Sequence, residues 1–201
     1  MMEGKVYLLE TNNINIDYFN ALKSLPEYCK NKLNVCSNIE LKKTRILAWY
    51  TLYKILLSDY NIDLTKCNIY ENNHGKPYID EIYFNITHSK NYIGIIISSV
   101  ECGIDIENNE LKIDKDKFAK KILTDIEYAQ FLKENTVDFL IKKWTKIETY
   151  YKIIGEGLSF SNLKLETIDE NIYTFKINND YFLSYGPCKC DIINVLDLKI
   201  I

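Results

Sequence analysis

Residues 83–107 are almost continuously β-prone: YFNIT, then NYIGIIISSV from Asn91, then CGIDIE from Cys102. Strands therefore dominate residues 78–107, and the rest of the fold has to be built against them. The last run sets two carboxylates into an apolar stretch. Side chains alternate along a strand, so Asp105 and Glu107 share one face while Ile104 and Ile106 share the other. Like charges that close repel unless a cation, a base or open water compensates. A solvated strand face beside Asn108 and Asn109 is the plain reading of the pair; a cation site is the sharper one.

The remaining chain changes period twice. Residues 4–10 (GKVYLLE) read as a first strand. Residues 38–58 are helical in pattern, with Leu41, Ala48, Leu52, Ile55 and Leu56 on one stripe. Arg45 falls within that stripe among apolar neighbours. It either snorkels at a rim or reaches an anion in a cleft. The stretch 72–77 (NNHGKP) punctuates the chain before the strands. After them, Thr124-Asp125-Ile126-Glu127 is a capping box opening a helix to about Lys133. A longer helix is expected over 137–154, stopped by Gly155, with Leu140, Trp144, Ile147, Tyr151 and Ile154 on its stripe. Short strands over 163–168, 172–177 and 181–186 close the chain.

Each half thus offers helices plus a few strands. At 201 residues, 47% hydrophobic and 13% aromatic, the chain can form one domain or two small halves with a substantial core. A net charge of -3 speaks against a nucleic-acid partner held by bulk charge. No apolar run approaches the roughly 20 residues that span a bilayer, so no membrane is expected. The start, MMEGKVYLLE, lacks the apolar core of a secretory leader. A cytoplasmic monomer is expected, its six cysteines free thiols. Cys188 and Cys190 form the only close pair and lack further ligands at metal spacing.

Two further polar clusters stand out. Glu148 and Lys152 are spaced as an ordinary surface helix pair, worth a few tenths of a kcal/mol, yet they flank Trp144 and Tyr151. His88 ends a strand in FNITHSK, where a structural hydrogen-bonding role is the plain reading. Taken together, three carboxylates can hold Mg²⁺, and Arg45, Lys76, His88 and Lys152 are donors suited to phosphates. A metal on a pyrophosphate with cations around it is equipment for displacement at phosphorus.

These residues carry a resemblance. FNITHS (84–89), GIDIE (103–107), W-x-x-x-E-x-x-x-K (144–152) and GEGLS (155–159) occur in that order, with GKP at 75–77 upstream. The chain resembles the Sfp-type 4′-phosphopantetheinyl transferases. The resemblance implies an α+β fold of two similar halves with the active site in the cleft between them. The boundary would fall near 99–103, giving residues 1–100 a coenzyme A-binding side and residues 101–201 the acidic motif and the W-x-x-x-E-x-x-x-K helix. It implies Mg²⁺- or Mn²⁺-dependent transfer of the phosphopantetheine arm of coenzyme A to a serine of an apo acyl- or peptidyl-carrier protein, with 3′,5′-ADP leaving. By the motifs, Asp105, Glu107 and Glu148 are the metal-binding acids, and Glu148, Lys152 and His88 the catalytic set. Lys76, Thr87, His88 and Lys152 fall at coenzyme A-contacting positions, and Arg45 aligns with a basic residue at the adenine nucleotide end. The chain departs from the family at Ile147, where a lysine usually precedes the helix glutamate. On helical geometry Lys146 points about 100° away and Lys143, one turn back, leans away from Glu148. The stripe groups Ile147 with Leu140, Trp144 and Tyr151, so a repacked turn is expected there. The competing readings are a Mg²⁺-dependent phosphohydrolase and a degenerate homologue that docks a carrier protein without transfer.

Overall fold

The apolar run of residues 92–98 becomes the central strand of the molecule, and its two faces organise everything else. The structure, a computed structural model, describes residues 4–12, 14–80, 82–158, 163–165 and 171–195. In chain order the elements are β1 (Gly4–Glu10), α1 (Tyr18–Ser24), α2 (Glu27–Asn34), α3 (Ile39–Tyr60), a 3₁₀ turn (Leu64–Lys66), β2 (Ile69–Glu71), β3 (Pro77–Ile79), β4 (Tyr83–Ser89) and β5 (Tyr92–Ser98). There follow β6 (Gly103–Asn108), α4 (Lys115–Ile122), α5 (Asp125–Glu134), α6 (Val137–Ile154), β7 (Tyr173–Asn178), β8 (Tyr181–Gly186) and β9 (Asp191–Asn194). The mixed α+β class matches the expectation.

One sheet has the order β4-β5-β1-β9, and another the order β6-β8-β7. β5 is antiparallel to both neighbours, with Gly4 opposite Ser98 and Phe84 opposite Ile97. Every residue of β5 is buried. Ile93, Ile95 and Ile97 pack into the core under α3, whereas Tyr92 and Ile96 pack into a second core with Ile104 and Ile106 of β6. The unbroken apolar pattern therefore reports a strand covered on both faces, and it joins the two sheets into one body. Gly94 lies at the crossing, where an added Cβ would come within 2.9 Å of the Ile106 side chain.

The helices start and stop where local chemistry dictates. Asn38 caps α3 through Leu41 N–H, and the Thr124–Glu127 capping box opens α5 as expected. Thr136 caps α6, and Gly155 ends it in the left-handed region at φ 71°. α6 lies against the second sheet through Thr149, whose hydroxyl donates to the Ser184 carbonyl at 3.2 Å. Gly103 permits that closeness: a Cβ there would sit 2.7 Å from the Thr149 carbonyl and the Ile153 nitrogen. The acid-bearing strand and the glutamate-bearing helix are thus held backbone to backbone.

Several elements carry little periodicity. α1 buries only Ala21, α2 buries Cys29 and Leu33, and the β2–β3 hairpin has three residues a side. β9 runs parallel to β1, so the last described strand of the chain joins the first sheet. Residues 163–165 form no strand, and residues 166–168 of that expected element lie outside the described residues. Ile154, placed on the stripe of α6, is 42% exposed because the helix ends there, beyond the sheet that covers its middle. All six cysteines are free. No described helix is long and apolar enough to cross a membrane.

Candidate active site

Asp105, in the middle of β6, is 3% exposed. Its Oδ1 accepts from the Lys152 ammonium at 2.6 Å and from the Thr87 hydroxyl at 3.2 Å. Lys152 also donates to Thr87 at 3.2 Å, so β4, β6 and α6 meet in one polar knot. The other carboxylate oxygen, Oδ2, is buried with no hydrogen-bond partner. Leaving a buried acceptor unmet costs on the order of 1–3 kcal/mol, so this oxygen stands ready for a cation or donor.

Glu107 and Glu148 complete the corner. Burial, then Asp105, then Glu148 push the Glu107 carboxyl well above its ordinary value; Lys152 and a hydrogen bond with Trp144 pull the other way. Burial and then Asp105 raise Glu148 to about 7, with Lys152 opposing. Three carboxylates in a poorly solvated corner therefore share one ammonium. An oxygen-only donor set short of positive charge suits Mg²⁺ or Mn²⁺, and the unmet Oδ2 supplies a free lone pair. The residues fit such an ion. Among the described residues no three acid, histidine or cysteine side chains already converge at ligand spacing. Lys152 holds Asp105 in the meantime.

Two cavities open beside this corner, sharing Gly75, Pro77 and Asn85 as walls. The larger, about 370 Å³, is lined among others by Tyr28, Arg45, Trp49 and His88. The smaller, about 240 Å³, is lined among others by His74, Tyr151, Lys152 and Glu156. Arg45 is exposed and lines the larger cavity. Burial, then Arg45 and Lys152, depress the His88 imidazole, which is therefore neutral at pH 7. Thr87 of the same strand is buried against Asp105. Arg45 and His88 thus line the larger cavity and Lys152 the smaller, while Thr87 and Asp105 meet Lys152 by hydrogen bonds and Glu107 and Glu148 feel the charge of Asp105 and Lys152.

Lys76 lines the smaller cavity beside Lys152, and its ammonium has protein partners. It donates to Glu101 Oε2 at 2.7 Å, to the Cys102 carbonyl at 3.1 Å and to the Ile153 carbonyl at 3.2 Å. Ile147 is fully buried in a core with Phe118, Leu140 and Tyr151, as its place on the stripe predicts. Lys143 is buried and paired with Glu127 at 2.5 Å. The cation that opposes the rise of Glu107 and Glu148 is Lys152, not Lys143 or Lys146.

Some residues of the site escape sequence reasoning. Asn85 accepts from Ile104 N–H at 3.1 Å and walls both cavities, and an asparagine inside the apolar strand YFNIT is a signal that was available. Trp144, placed on the core stripe, also hydrogen-bonds Glu107. Tyr28 packs edge-on against Trp49 at 5.9 Å and offers no such signal, because α2 is short.

Comparison with known proteins agrees with this geometry. Residues 101–187 match the 4′-phosphopantetheinyl transferase superfamily, a span that holds Asp105, Glu107, Glu148 and Lys152. The chain is 32% identical over 153 residues to the 4′-phosphopantetheinyl transferase Gsp of Aneurinibacillus migulanus, covering 73% of this chain and 63% of that protein. It is 29% identical over 141 residues to the 4′-phosphopantetheinyl transferase Sfp of Bacillus subtilis (strain 168), covering 67% of this chain and 61% of that protein. The matches therefore span about three fifths of the length of these relatives. Residues 101–187, which carry the acids and the lysine, belong to the 4′-phosphopantetheinyl transferase superfamily, and the likeness to Gsp extends over most of the chain.

Proposed function

We propose that this protein transfers the phosphopantetheine arm of coenzyme A to a serine of an apo acyl- or peptidyl-carrier protein. The observation that carries the reading is the corner of Asp105, Glu107 and Glu148, with one unmet buried oxygen, beside two adjoining cavities, one lined by Arg45 and His88 and the other by Lys152. The serine Oγ forms a bond to the β-phosphorus of coenzyme A and gives up its proton to solvent; the bond from that phosphorus to the bridging oxygen breaks, and 3′,5′-ADP leaves with the electron pair. Mg²⁺ or Mn²⁺, held by Asp105, Glu107 and Glu148, would supply charge neutralisation on the pyrophosphate.

The chain's own residues supply the rest. Arg45 binds the nucleotide end through a fixed fork of donors, beside the aromatic wall of Tyr28 and Trp49. Neutral His88 donates one ring N–H without adding charge. Lys152, once turned from Asp105 toward the cleft, offsets charge on the departing phosphate. Thr87 orients Asp105 and accepts from Lys152. The protein works as a cytoplasmic monomer in this reading.

Incubating the protein with coenzyme A, Mg²⁺ and several apo-carrier proteins, then weighing the carriers, tests the proposal. The expected outcome is one phosphopantetheine added per carrier with one 3′,5′-ADP released. Hydrolysis of coenzyme A with unchanged carriers would identify a phosphohydrolase instead. Carrier binding without turnover would identify a docking homologue.

A further inference from the structure

We infer that Asn85 binds the ligand: its side-chain amide donates to phosphate oxygens of a nucleotide-linked pyrophosphate lying across the wall between the two cavities. The inference rests on the coenzyme A reading above and adds a contact to it. Side chains alternate along β4, so Phe84 and Ile86 pack into the core under α3 while Asn85 and Thr87 reach β6. β6 lies at the edge of its sheet, and an edge strand presents backbone groups that need partners. Asn85 meets one of them: its Oδ1 accepts from the Ile104 N–H at 3.1 Å.

That bond fixes which way the amide faces. A backbone N–H can only donate, so it takes the carbonyl end of the side chain and leaves the two N–H donors of Nδ2 for another partner. No described residue accepts from them, although Asn85 is only 8% exposed. Asp105 Oδ1 is taken by Thr87 and Lys152, and Asp105 Oδ2 has no partner at all. A polar group this far from bulk water is costly to leave unmet. The free end of Asn85 is therefore held for an acceptor that the cavities receive.

Position says what that acceptor is. The larger cavity offers Arg45 and the rings of Tyr28 and Trp49, which suit a nucleotide end; the smaller offers Lys152. Gly75, Pro77 and Asn85 line both. A ligand with its nucleotide in the larger cavity and its reacting phosphorus beside Lys152 has to cross this shared wall. The wall is open at Gly75, where an added Cβ would meet nothing within 4 Å. Neither Gly75 nor Pro77 has a side-chain donor, so of the three only Asn85 can bind the crossing segment through its side chain. That segment is the anionic pyrophosphate. A neutral amide gives it charge-assisted bonds next to Lys152 without adding a further charge to the corner.

The test titrates Asn85→Ala with two ligands, with no carrier protein present. Coenzyme A carries the pyrophosphate; adenosine 3′-monophosphate carries the nucleoside end without it. Coenzyme A affinity should fall by about tenfold or more, whereas affinity for the monophosphate should stay within about twofold of the parent. An asparagine that only braces β6 would loosen the site for both ligands alike, so equal losses would overturn the inference. Parental coenzyme A affinity would overturn it as well. Asn85→Asp keeps an acceptor for the Ile104 N–H and replaces the donor by an anion. It should lose at least as much coenzyme A affinity while sparing the monophosphate, and it decides by the same readings if Asn85→Ala does not fold. The titrations need no turnover, so the two claims fail separately. A parent that binds coenzyme A but transfers nothing would overturn the reaction and leave this contact standing. A parent that binds no coenzyme A would overturn both.

Discussion

Helix α6 carries two partly buried lysine–carboxylate pairs, and they are built to opposite ends. Lys143 meets Glu127, and Lys152 meets Asp105 at 2.6 Å. Burial alone would raise Glu127, yet Lys143 and the capping bonds from Thr124 hold it below the usual carboxylate range. Lys143 also donates to the Leu165 carbonyl at 3.3 Å. At the other pair the single lysine must serve Asp105, Glu107 and Glu148 together, and both glutamates rise. Asp105 Oδ2 is left with nothing. The first corner is complete as it stands. The second is complete only with additional positive charge, and that deficit, not burial or charge by itself, is what the proposed reaction draws on.

The sharpest way to break this contrast is Asp105→Ala. Transfer should fall by on the order of 10²–10³-fold or more, while the melting temperature of the metal-free protein holds or rises because carboxylate repulsion is relieved. Carrier mass and thermal melting are read side by side. Near-parental, Mg²⁺-dependent transfer in the variant would remove Asp105 from the metal set.

Ile147→Lys comes next. A lysine here enters a core of Phe118, Leu140 and Tyr151 with no carboxylate assigned to it. Burying an unpaired ammonium should cost roughly 3 kcal/mol, about 6–12 °C of melting temperature for a chain of this size. A stable variant with faster transfer would show that this turn can still present the family's lysine to the cleft.

Exchanging the two pairs tests the contrast directly. Lys143→Met should lower stability by about 1–3 kcal/mol and leave kcat alone, because Glu127 loses its cation far from the chemistry. Lys152→Met should also destabilise the metal-free protein, because three carboxylates lose their one ammonium, but it should add what Lys143→Met lacks: a large loss of transfer, and tighter Mg²⁺ binding by the free protein, since the competitor at Asp105 is gone. Weaker Mg²⁺ binding in Lys152→Met, by calorimetry, would show that the lysine helps assemble the acids and does not compete for them.

Much of this was legible in the sequence, for reasons that can be named. β1, α3, β4, β5, β6, α5 and α6 announce themselves by period and by caps, because each buries a whole stripe or face. Gly155 and the Thr124 box mark their helix ends through local chemistry alone. The short helices α1, α2 and α4, the small hairpin and β9 depend on tertiary contacts that no local pattern records. The acids and Lys152 were visible as spacing, and Ile147 as a core position. What could not be read was partnership: whether Lys76 meets a phosphate or the carbonyls of Cys102 and Ile153 depends on residues 26 and 77 positions away. Likewise, nothing in the order of residues says that Lys143 folds back on Glu127.

The smallest expected effect concerns pH, and it follows from the same contrast. Glu148 has an ordinary value of 4.5 and a folded value of about 7, so between them the folded state binds more protons than the unfolded. Stability from this group is full below pH 4.5 and is lost as pH rises toward about 7; Glu107, raised for the same reasons, acts in the same direction. Glu127 works oppositely, since its value is lowered: its stability is present at neutral pH and is lost as pH falls below the usual carboxylate range. Metal-free protein should therefore lose a few degrees of melting temperature between pH 5 and 8. Mg²⁺ binds the ionised carboxylates, so it should restore those degrees at pH 8 and do little at pH 5. In Lys143→Met the slope from Glu148 and Glu107 should survive unchanged, whereas in Glu148→Gln much of it should vanish. A slope that disappears in Lys143→Met and persists in Glu148→Gln would place the proton-linked strain at the structural pair and dissolve the distinction between the two corners.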